Sequence, residues 1–271
     1  MRRNIQLPPS TVRALLAGCT FLWACLIQAH AATGRNYVEI GEIGSAARVV
    51  LHPGDVLRVV LKSNVSTGYG WQVMANNEGI LKPGPATNLP GETQKVGTEG
   101  RQQREFTAKA PGEDRLVLAY ARPWEKNSAP VRKLTLDIAV TSQAADPAPA
   151  VKPAGVLLGK FTGKSPCADC SGINQTLLLY TPGPNNFVDA YYVQSMTYLG
   201  ARNGDTSNVS AGKWFVEKGT ATDPNGTVYA LSLESSNRTQ NYQVKGNTLI
   251  PLGPDLSEIQ PPFDARLHRA P

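Results

Sequence analysis

Short runs of apolar and β-branched residues, separated by Gly, Pro, Asp and Asn, recur along most of this chain. Runs of this length bounded by turn residues are typical of β-strands. They cover 47–51, 56–61, 71–74, 104–108, 116–120 and 131–140, and then 175–180, 187–199, 212–216, 227–233 and 241–252. From residue 32 onward no segment has the period of a long helix, which argues against a Rossmann or TIM-barrel architecture. The predicted fold class is all-β.

The 271-residue chain divides near its middle. Residues 142–154 contain three prolines among alanines and no large apolar residue, a composition that predicts a semi-rigid linker. The predicted domains, 32–141 and 155–271, are each close to the common domain size. The strand pattern of the first half favours a β-sandwich, and strands joined in sequence by short turns favour an up-and-down β-barrel in the second.

The first 31 residues have the features of a secretory signal peptide. Three arginines without an acidic residue precede the apolar run 14–27, and Ala29-His30-Ala31 supplies a small-x-small end. Cleavage after Ala31 is the main prediction, and the mature chain is then expected in the periplasm or the medium. The alternative is a lipobox, Leu16-Ala17-Gly18-Cys19, which would place a lipid anchor on Cys19 and make the chain an outer-membrane lipoprotein. A membrane is expected as a partner only through that anchor.

Charge and histidine content narrow the function classes. The formal net charge is +6, and removal of the three signal-peptide arginines leaves 24 basic and 21 acidic residues, or +3. Because no Lys/Arg block occurs, no nucleic-acid partner is expected. Beyond residue 31 only His52 and His268 remain, which excludes a His-rich metal site. No nucleophile has a plausible His/Asp set, so the chain is expected not to be an enzyme.

Three loops at strand junctions of the first half carry candidate binding chemistry: 64–71 (NVSTGYGW), 97–100 (GTEG) and 122–125 (RPWE). Gly68 permits a positive φ, Pro123 fixes φ, and Trp124 offers a large amphipathic face. Binding surfaces favour such rigid aromatics and adaptable small residues. Taken singly, each loop is better explained as an ordinary turn.

The order and spacing of these loops resemble the chagasin family of cysteine-peptidase inhibitors across residues 36–142. The family's first loop, Asn-Pro-Thr-Thr-Gly-Tyr-x-Trp, is matched except at Val65, which replaces proline, and Ser66, which replaces threonine. The resemblance implies an immunoglobulin-like sandwich whose three loops enter the active-site cleft of papain-like cysteine peptidases, without a cofactor. The contact residues that it implies are Asn64, Ser66, Thr67, Gly68, Tyr69, Gly97, Gly100, Arg122, Pro123 and Trp124. Trp71 is expected to be a core residue instead.

The second half contains one cysteine pair, Cys167-Ala168-Asp169-Cys170. A zinc site would need two more ligands, and a thioredoxin-type pair would open a helix, so neither fits. A local disulfide and a soft Cu(I)-binding dithiol at Cys167 and Cys170 remain. Residues 155–268 resemble the N-terminal domain of NlpE, a copper-resistance and envelope-stress lipoprotein, chiefly through the segment 166–173 (PCADCSGI). This resemblance implies a small lipocalin-like barrel.

Two functions follow from these resemblances. The first is a secreted or periplasmic bacterial inhibitor of papain-like cysteine peptidases with an appended NlpE-like envelope domain. The alternative is an envelope-stress or copper-resistance lipoprotein of NlpE type, in which the sandwich is an interaction module. In the first case no cofactor is needed, and in the second Cu(I) would bind at Cys167 and Cys170.

Overall fold

The computed structural model describes residues 35–91, 99–125, 128–142, 150–184, 186–202, 204–259 and 264–271, which lie within one compact unit, Ala32–Pro271. The predicted signal peptide, Cys19, Gly97 and residues 143–149 of the predicted linker lie outside the described residues. Within those ranges the chain forms seventeen strands, one 3₁₀ turn and no α-helix. A search of the same residues for an apolar helix of membrane-spanning length gives none. The all-β prediction is confirmed.

The strands are numbered β1 to β17 in chain order. Their bounds are β1 Tyr37–Ile40, β2 Ala46–Leu51, β3 Val56–Ser63, β4 Gly70–Ala75, β5 Leu81–Leu89, β6 Gly100–Ala108, β7 Gly112–Ala121, β8 Arg132–Val140, β9 Ala150–Pro153, β10 Val156–Ser165, β11 Gly172–Thr181, β12 Tyr191–Leu199, β13 Thr206–Lys218, β14 Thr227–Leu233, β15 Arg238–Lys245, β16 Thr248–Leu252 and β17 Leu267–Arg269. The 3₁₀ turn, Val65–Thr67, joins β3 to β4.

The first half is a two-sheet sandwich. One layer has the strand order β1-β3-β6-β5, and the other has the order β4-β7-β8-β2-β9. Side chains alternate across each strand, so that β2 exposes Arg48 and buries Val49 and Leu51. The inward-facing side chains of both layers, including Leu57 and Phe106, form one apolar core. The predicted immunoglobulin-like sandwich is confirmed.

The second half is a closed barrel. Strands β10 to β17 form a continuous antiparallel sheet, and pairing of β12 with β13 closes it. Its interior is filled by large side chains such as Trp214, Tyr192 and Tyr242, each of which is fully buried. The polar tips of two of them are paired, since Trp214 Nε1 donates to Tyr180 O at 3.1 Å and Tyr192 Oη donates to Ser232 O at 3.0 Å. The predicted small barrel is confirmed.

Strand β1 belongs to both halves. It pairs in parallel with β3 on one edge and with β13 on the other, so that one twelve-stranded sheet runs through sandwich and barrel. Val38 and Ile40 of β1 are fully buried in the sandwich core. Outward-facing barrel residues, including Val193 and Val209, pack into that same core. The two halves therefore share a hydrophobic core.

The linker region differs from the sequence prediction at residues 150–153. They form strand β9, which pairs antiparallel with β2 at the edge of the sheet. Val151 is 3% exposed, and its side chain joins the sandwich core. Only two side chains of a four-residue strand face inward, and proline is tolerated in a strand at the edge of a sheet. The sequence of this segment therefore gives no clear strand signal. The domain boundaries themselves stay a prediction.

Because the core is shared, we expect the loss of a buried side chain in β1 to destabilise both halves together. We expect Ile40→Ala to lower the free energy of unfolding by about 2–5 kcal/mol, because it removes a fully buried side chain and leaves a cavity. Urea unfolding followed by circular dichroism should keep a single transition at a lower midpoint. Ile259→Ala is the matched control, because Ile259 is 49% exposed. Two separate transitions, with only one of them shifted, would contradict a shared core.

Candidate functional site

Strand pairing brings the three candidate loops to one end of the sandwich. The last residue of β3, Ser63, pairs with the first residue of β6, Gly100. The first residue of β4, Gly70, pairs with the last residue of β7, Ala121. Residues 64–70, 99–100 and 122–125 therefore emerge side by side, and we call them the loop end of the sandwich.

The first loop is braced by its own hydrogen bonds. Asn64 Oδ1 accepts from Ser66 N at 3.2 Å and from Ser66 Oγ at 2.6 Å, and Asn64 O accepts from Thr67 Oγ1 at 2.6 Å. Gly68 then ends the turn with φ 78°, and its amide donates to Val65 O at 3.1 Å. Asn, Ser, Thr and Gly suit this turn because short polar side chains bond nearby backbone and glycine accepts a left-handed φ. Residues 65–67 are nevertheless exposed.

An aromatic cluster supports this loop from below. Trp71 is 4% exposed, and its Nε1 donates to Lys62 O at 3.0 Å. Its ring lies 5.3 Å from that of Tyr120, on which Tyr69 stacks at 5.4 Å. The Tyr120 hydroxyl accepts from Asn64 N at 2.9 Å. The prediction that Trp71 is a core residue is confirmed, and Tyr69 is a support of the loop.

Arg122 ties the third loop to the first. Its Nε donates to Thr67 O at 3.1 Å, and its Nη1 donates to Glu125 Oε1 at 2.8 Å. Its guanidinium also lies over the Tyr69 ring, with Cζ 4.5 Å from the centroid. The hydrogen bond with Glu125 raises the pKa of Arg122 above its ordinary value. Arg122 thus donates both of these hydrogen bonds within the chain. Its contact with a partner stays a prediction.

Trp124 packs directly on Gly68. A Cβ on Gly68 would lie 2.4 Å from Trp124 Cη2, so a larger residue here would displace the indole from this position. Even so, Trp124 remains 65% exposed. Glycine is therefore required here for two reasons: the positive φ and the close approach of the ring. The indole is held in place and is still available to a partner.

The second loop is described only at its end. Gly100 begins β6, and a Cβ there would lie 2.6 Å from Leu89 O, so a glycine allows the two arms of this hairpin to approach closely. Gly97, the other predicted glycine of this loop, is outside the described residues. The structure thus brings nine of the ten predicted contact residues to the loop end.

The exposed tips of the first and third loops are uncharged. They are Val65, Ser66, Thr67, Pro123 and Trp124. None of these five side chains is a general acid or base, and the two hydroxyls donate to Asn64. The described part of the second loop adds one exposed charge, Glu99. The arrangement is suited to binding by shape and apolar contact.

Two residues that hold the loops in place are not among the predicted contact residues. Tyr120 accepts the Asn64 amide, and Glu125 fixes Arg122. The pairing of Glu125 with Arg122 could have been predicted from the sequence, since Glu125 lies three residues after Arg122 in the same loop. Tyr120 had no such local signal, because its partner in the first loop is 56 residues away.

The cysteine pair lies in the barrel, in the loop between β10 and β11. Cys167 and Cys170 form a disulfide, which confirms the first of the two interpretations left open by the sequence. Asp169 lies beside them, and its carboxylate and the two sulfurs are within 4.8 Å of one another. Because Cu(I) binds thiolates, a disulfide offers no site for it until it is reduced.

Comparison with known proteins gives a separate match for each half. Residues 50–138 match the family model "Chagasin family peptidase inhibitor I42", and residues 161–261 match the NlpE N-terminal domain. Amoebiasin-2 of Entamoeba histolytica is 28% identical over 87 residues, which cover 32% of this chain and 71% of that protein. The crystal structure of the cysteine protease inhibitor EhICP2 from Entamoeba histolytica covers 40% of this chain and 100% of its own, at 24% identity and a TM-score of 0.36. The structure of PbICP-C in complex with falcipain-2 covers 40% and 99%, at 19% identity and a TM-score of 0.31.

Both resemblances expected from the sequence are confirmed by these family matches. The first match covers β3 to β8 almost completely and includes every described residue of the loop end. It is a family of inhibitors, in agreement with the expectation that this chain is not an enzyme.

The contact between Gly68 and Trp124 gives a direct test of the loop-end geometry. Gly68→Ala should lower the free energy of unfolding by about 1–2 kcal/mol, the usual cost of a left-handed φ for an L-residue, and should displace the indole. Urea unfolding and the intrinsic tryptophan fluorescence would report both effects. Gly70→Ala is the matched control, since the nearest atom to its Cβ would lie 3.7 Å away. Equal effects of the two substitutions would contradict the described packing.

Proposed function

We propose that this chain is an exported inhibitor of papain-like cysteine peptidases, and that the loop end of the sandwich enters the active-site cleft. The observation that carries the proposal is the packing of Trp124 on Gly68, with Arg122 bonded to Thr67 O at 3.1 Å. These contacts hold exposed residues of two loops in one arrangement before any partner binds. The family match over residues 50–138 supports the same conclusion.

The geometry of the first loop explains inhibition without cleavage. A peptidase must place a scissile carbonyl in its oxyanion hole while the nucleophile attacks. In this loop residues 65–67 form a 3₁₀ turn, and Thr67 O already accepts from Arg122 Nε. The turn can therefore cover a catalytic cysteine without offering a free and correctly aligned carbonyl.

The composition of the loop end favours tight contact. The exposed tips of the first and third loops, such as Val65 and Trp124, carry no charge, so their burial does not require an ion to lose its hydration. Because both loops are fixed by internal bonds, less conformational entropy is lost on association. Trp124, at 65% exposure, is the largest side chain offered to the partner.

Export is the second part of the proposal, and it rests on the sequence of residues 1–31. A signal peptide cleaved after Ala31 would release the chain into the periplasm or the medium, whereas lipidation of Cys19 would anchor it to a membrane. Mass spectrometry of the mature N-terminus distinguishes the two outcomes. Either route brings the disulfide Cys167–Cys170 into an oxidising compartment.

A second candidate function is favoured by the NlpE match over residues 161–261. In this case the barrel would serve envelope-stress signalling or copper resistance, and the sandwich would be an interaction module. The donor set suits Cu(I) only after reduction, when Cys167 and Cys170 become thiolates. The peptidase assay below separates the two candidates, because an interaction module has no reason to inhibit papain.

We expect the purified chain to inhibit papain reversibly, without metal and without being cut. Trp124→Ala should weaken inhibition about thirtyfold or more, since truncation of a central anchor commonly costs about 2 kcal/mol or more. Thr67→Arg should weaken it at least as much by blocking close approach. Inhibition constants measured with a small fluorogenic substrate would give these ratios. Met74→Ala is the matched control, because Met74 is also 65% exposed but lies farther along β4.

Two results would contradict this proposal. The first is full papain activity at a large molar excess of the folded chain. The second is wild-type inhibition by both Trp124→Ala and Thr67→Arg, which would mean that the loop end is not the binding surface.

Trp71→Ala separates an effect on the fold from an effect on binding. It should lower the free energy of unfolding by about 3–5 kcal/mol, because Trp71 is buried.

Val65→Pro should tighten inhibition. Val65 is the first residue of the 3₁₀ turn, and the preceding Asn64 has φ −116° and ψ 95°, in the extended region that suits a residue before proline. Proline restricts this loop in the free folded protein, so less freedom is lost on binding, and we expect an inhibition constant lower by about twofold or more. Val65→Ala is the control, because it shortens the side chain without restricting the backbone. A weaker inhibitor on introduction of proline would show that the turn changes shape on binding.

A further inference from the structure

A cleft lies where the shared sheet divides. Strand β1 ends at Ile40, whereas β3 runs on to Ser63 within the sandwich and β13 runs on to Lys218 within the barrel. The two diverging parts enclose a cavity of about 770 Å³, which we call the junction cleft. Lys62 and Arg101 line it from the sandwich, and barrel strands β13 to β15 line its other side.

Three cations of the junction cleft lack an ion pair among the described residues. Lys62 and Arg101 are direct neighbours across the antiparallel β3–β6 pair, an arrangement that places like charges opposite each other and is destabilising. Arg238 lines the cleft from the barrel. The remaining lysine of the cleft, Lys213, is paired with Asp189 at 2.9 Å.

The acidic groups of the cleft leave this positive charge in excess. Glu42 is paired with Arg132 at 3.3 Å. Glu234 is 6% exposed, packs against Gly41 and accepts from Ser232 Oγ at 3.0 Å. Burial raises the pKa of Glu234, although Lys62 and Arg101 act in the opposite direction. Among the described lining residues, one buried carboxylate and three cations are thus without an ion pair.

Two buried polar atoms of lining residues also lack a partner in the described part of the chain. Arg101 is 9% exposed; one of its terminal nitrogens donates to Asn237 Oδ1, but its Nε has no acceptor. Asn241 is 7% exposed, and its Oδ1 has no donor. Unsatisfied buried polar groups are rare in folded proteins. Both residues line the cleft, Arg101 from the sandwich and Asn241 from the barrel, so its walls are polar on both sides.

We propose that the junction cleft binds a small molecule bearing a phosphate or carboxylate group, held by Lys62, Arg101 and Arg238. Both anionic groups match the donors of arginine and lysine. Phe215 and Pro254 supply an apolar wall for the rest of the ligand. The volume is within the range of small-molecule sites, and such sites are common where two domains meet.

This site is separate from the proposed peptidase contact, although it adjoins the same strands. Arg101 directly follows Gly100, and Lys62 directly precedes Ser63, the two residues from which the first and second loops leave the sandwich. The concave shape of the cleft favours a small ligand over a second protein, which would bind by a broader and flatter surface. Binding in the cleft can therefore be measured without any peptidase.

The test is isothermal titration of the full chain with inorganic phosphate and, separately, with citrate, at constant ionic strength. We expect one of the two anions to bind with 1:1 stoichiometry and a Kd of about 1 mM or lower. Lys62→Gln and Arg238→Gln should each weaken that binding about tenfold or more. Lys245→Gln is the matched control, because Lys245 is an exposed cation at the opposite end of β15 from Arg238. Arg101 is left unchanged in these variants because it is buried.

The two anions distinguish the ligand groups: binding of phosphate alone supports a phosphorylated ligand, and binding of citrate alone supports a carboxylate. No binding of either anion up to about ten times that Kd would overturn the proposal. Equal weakening by Lys245→Gln would also overturn it, because binding would then follow net charge instead of the cleft. Melting temperatures without ligand show that the variants are folded, and Lys62→Gln should not lower this temperature, since it removes one member of a like-charged pair.

Discussion

The parallel pairing of strand β1 on both of its edges is the constraint on which the rest of the structure depends. This four-residue strand places Val38 and Ile40 in the sandwich core while its backbone joins β3 to β13. Its first flanking residue, Asn36, reinforces the junction: its Oδ1 accepts from Ser207 N at 2.8 Å, and its Nδ2 donates to Asp55 Oδ1 at 2.9 Å. The position of β3 relative to the barrel is therefore fixed at the beginning of β1. The loops and the junction cleft both follow from that position.

Sequence patterns predict the fold class because each half is built from strands with strong local signals, but they miss the elements that join the halves. Strand β1 has partners about 19 and 171 residues away, and its four residues show little periodicity. Strand β5 contains Pro83, and its pairing with β6 is irregular after that residue, as expected for proline at an edge. The run 241–252 is predicted as one strand, yet Gly246, with φ 58°, turns it into the hairpin β15–β16.

The candidate site shows the same division between local and distant signals. Gly68 and Pro123 act on their own backbone, so their turns are predictable from neighbouring residues. The hydrogen bond from Arg122 to Thr67 O joins residues that are 55 positions apart, and only the pairing of β4 with β7 brings them together. Sequence reasoning therefore identifies the residues of the loop end, with Arg122 as a predicted partner contact, but it does not predict that Arg122 also holds the two loops together.

This internal use of Arg122 separates support from contact at the loop end. The charged pair Arg122–Glu125 and the aromatic pair Tyr69–Tyr120 brace the loops, and the exposed tips of the first and third loops form an uncharged surface beyond them. A surface of this kind gains little from electrostatic steering and depends on shape and apolar burial. Its effectiveness must therefore come from rigidity, which reduces the entropy lost on binding. Rigidity requires a well-anchored β3, and the shared strand β1 supplies that anchor by joining the sandwich core to the barrel.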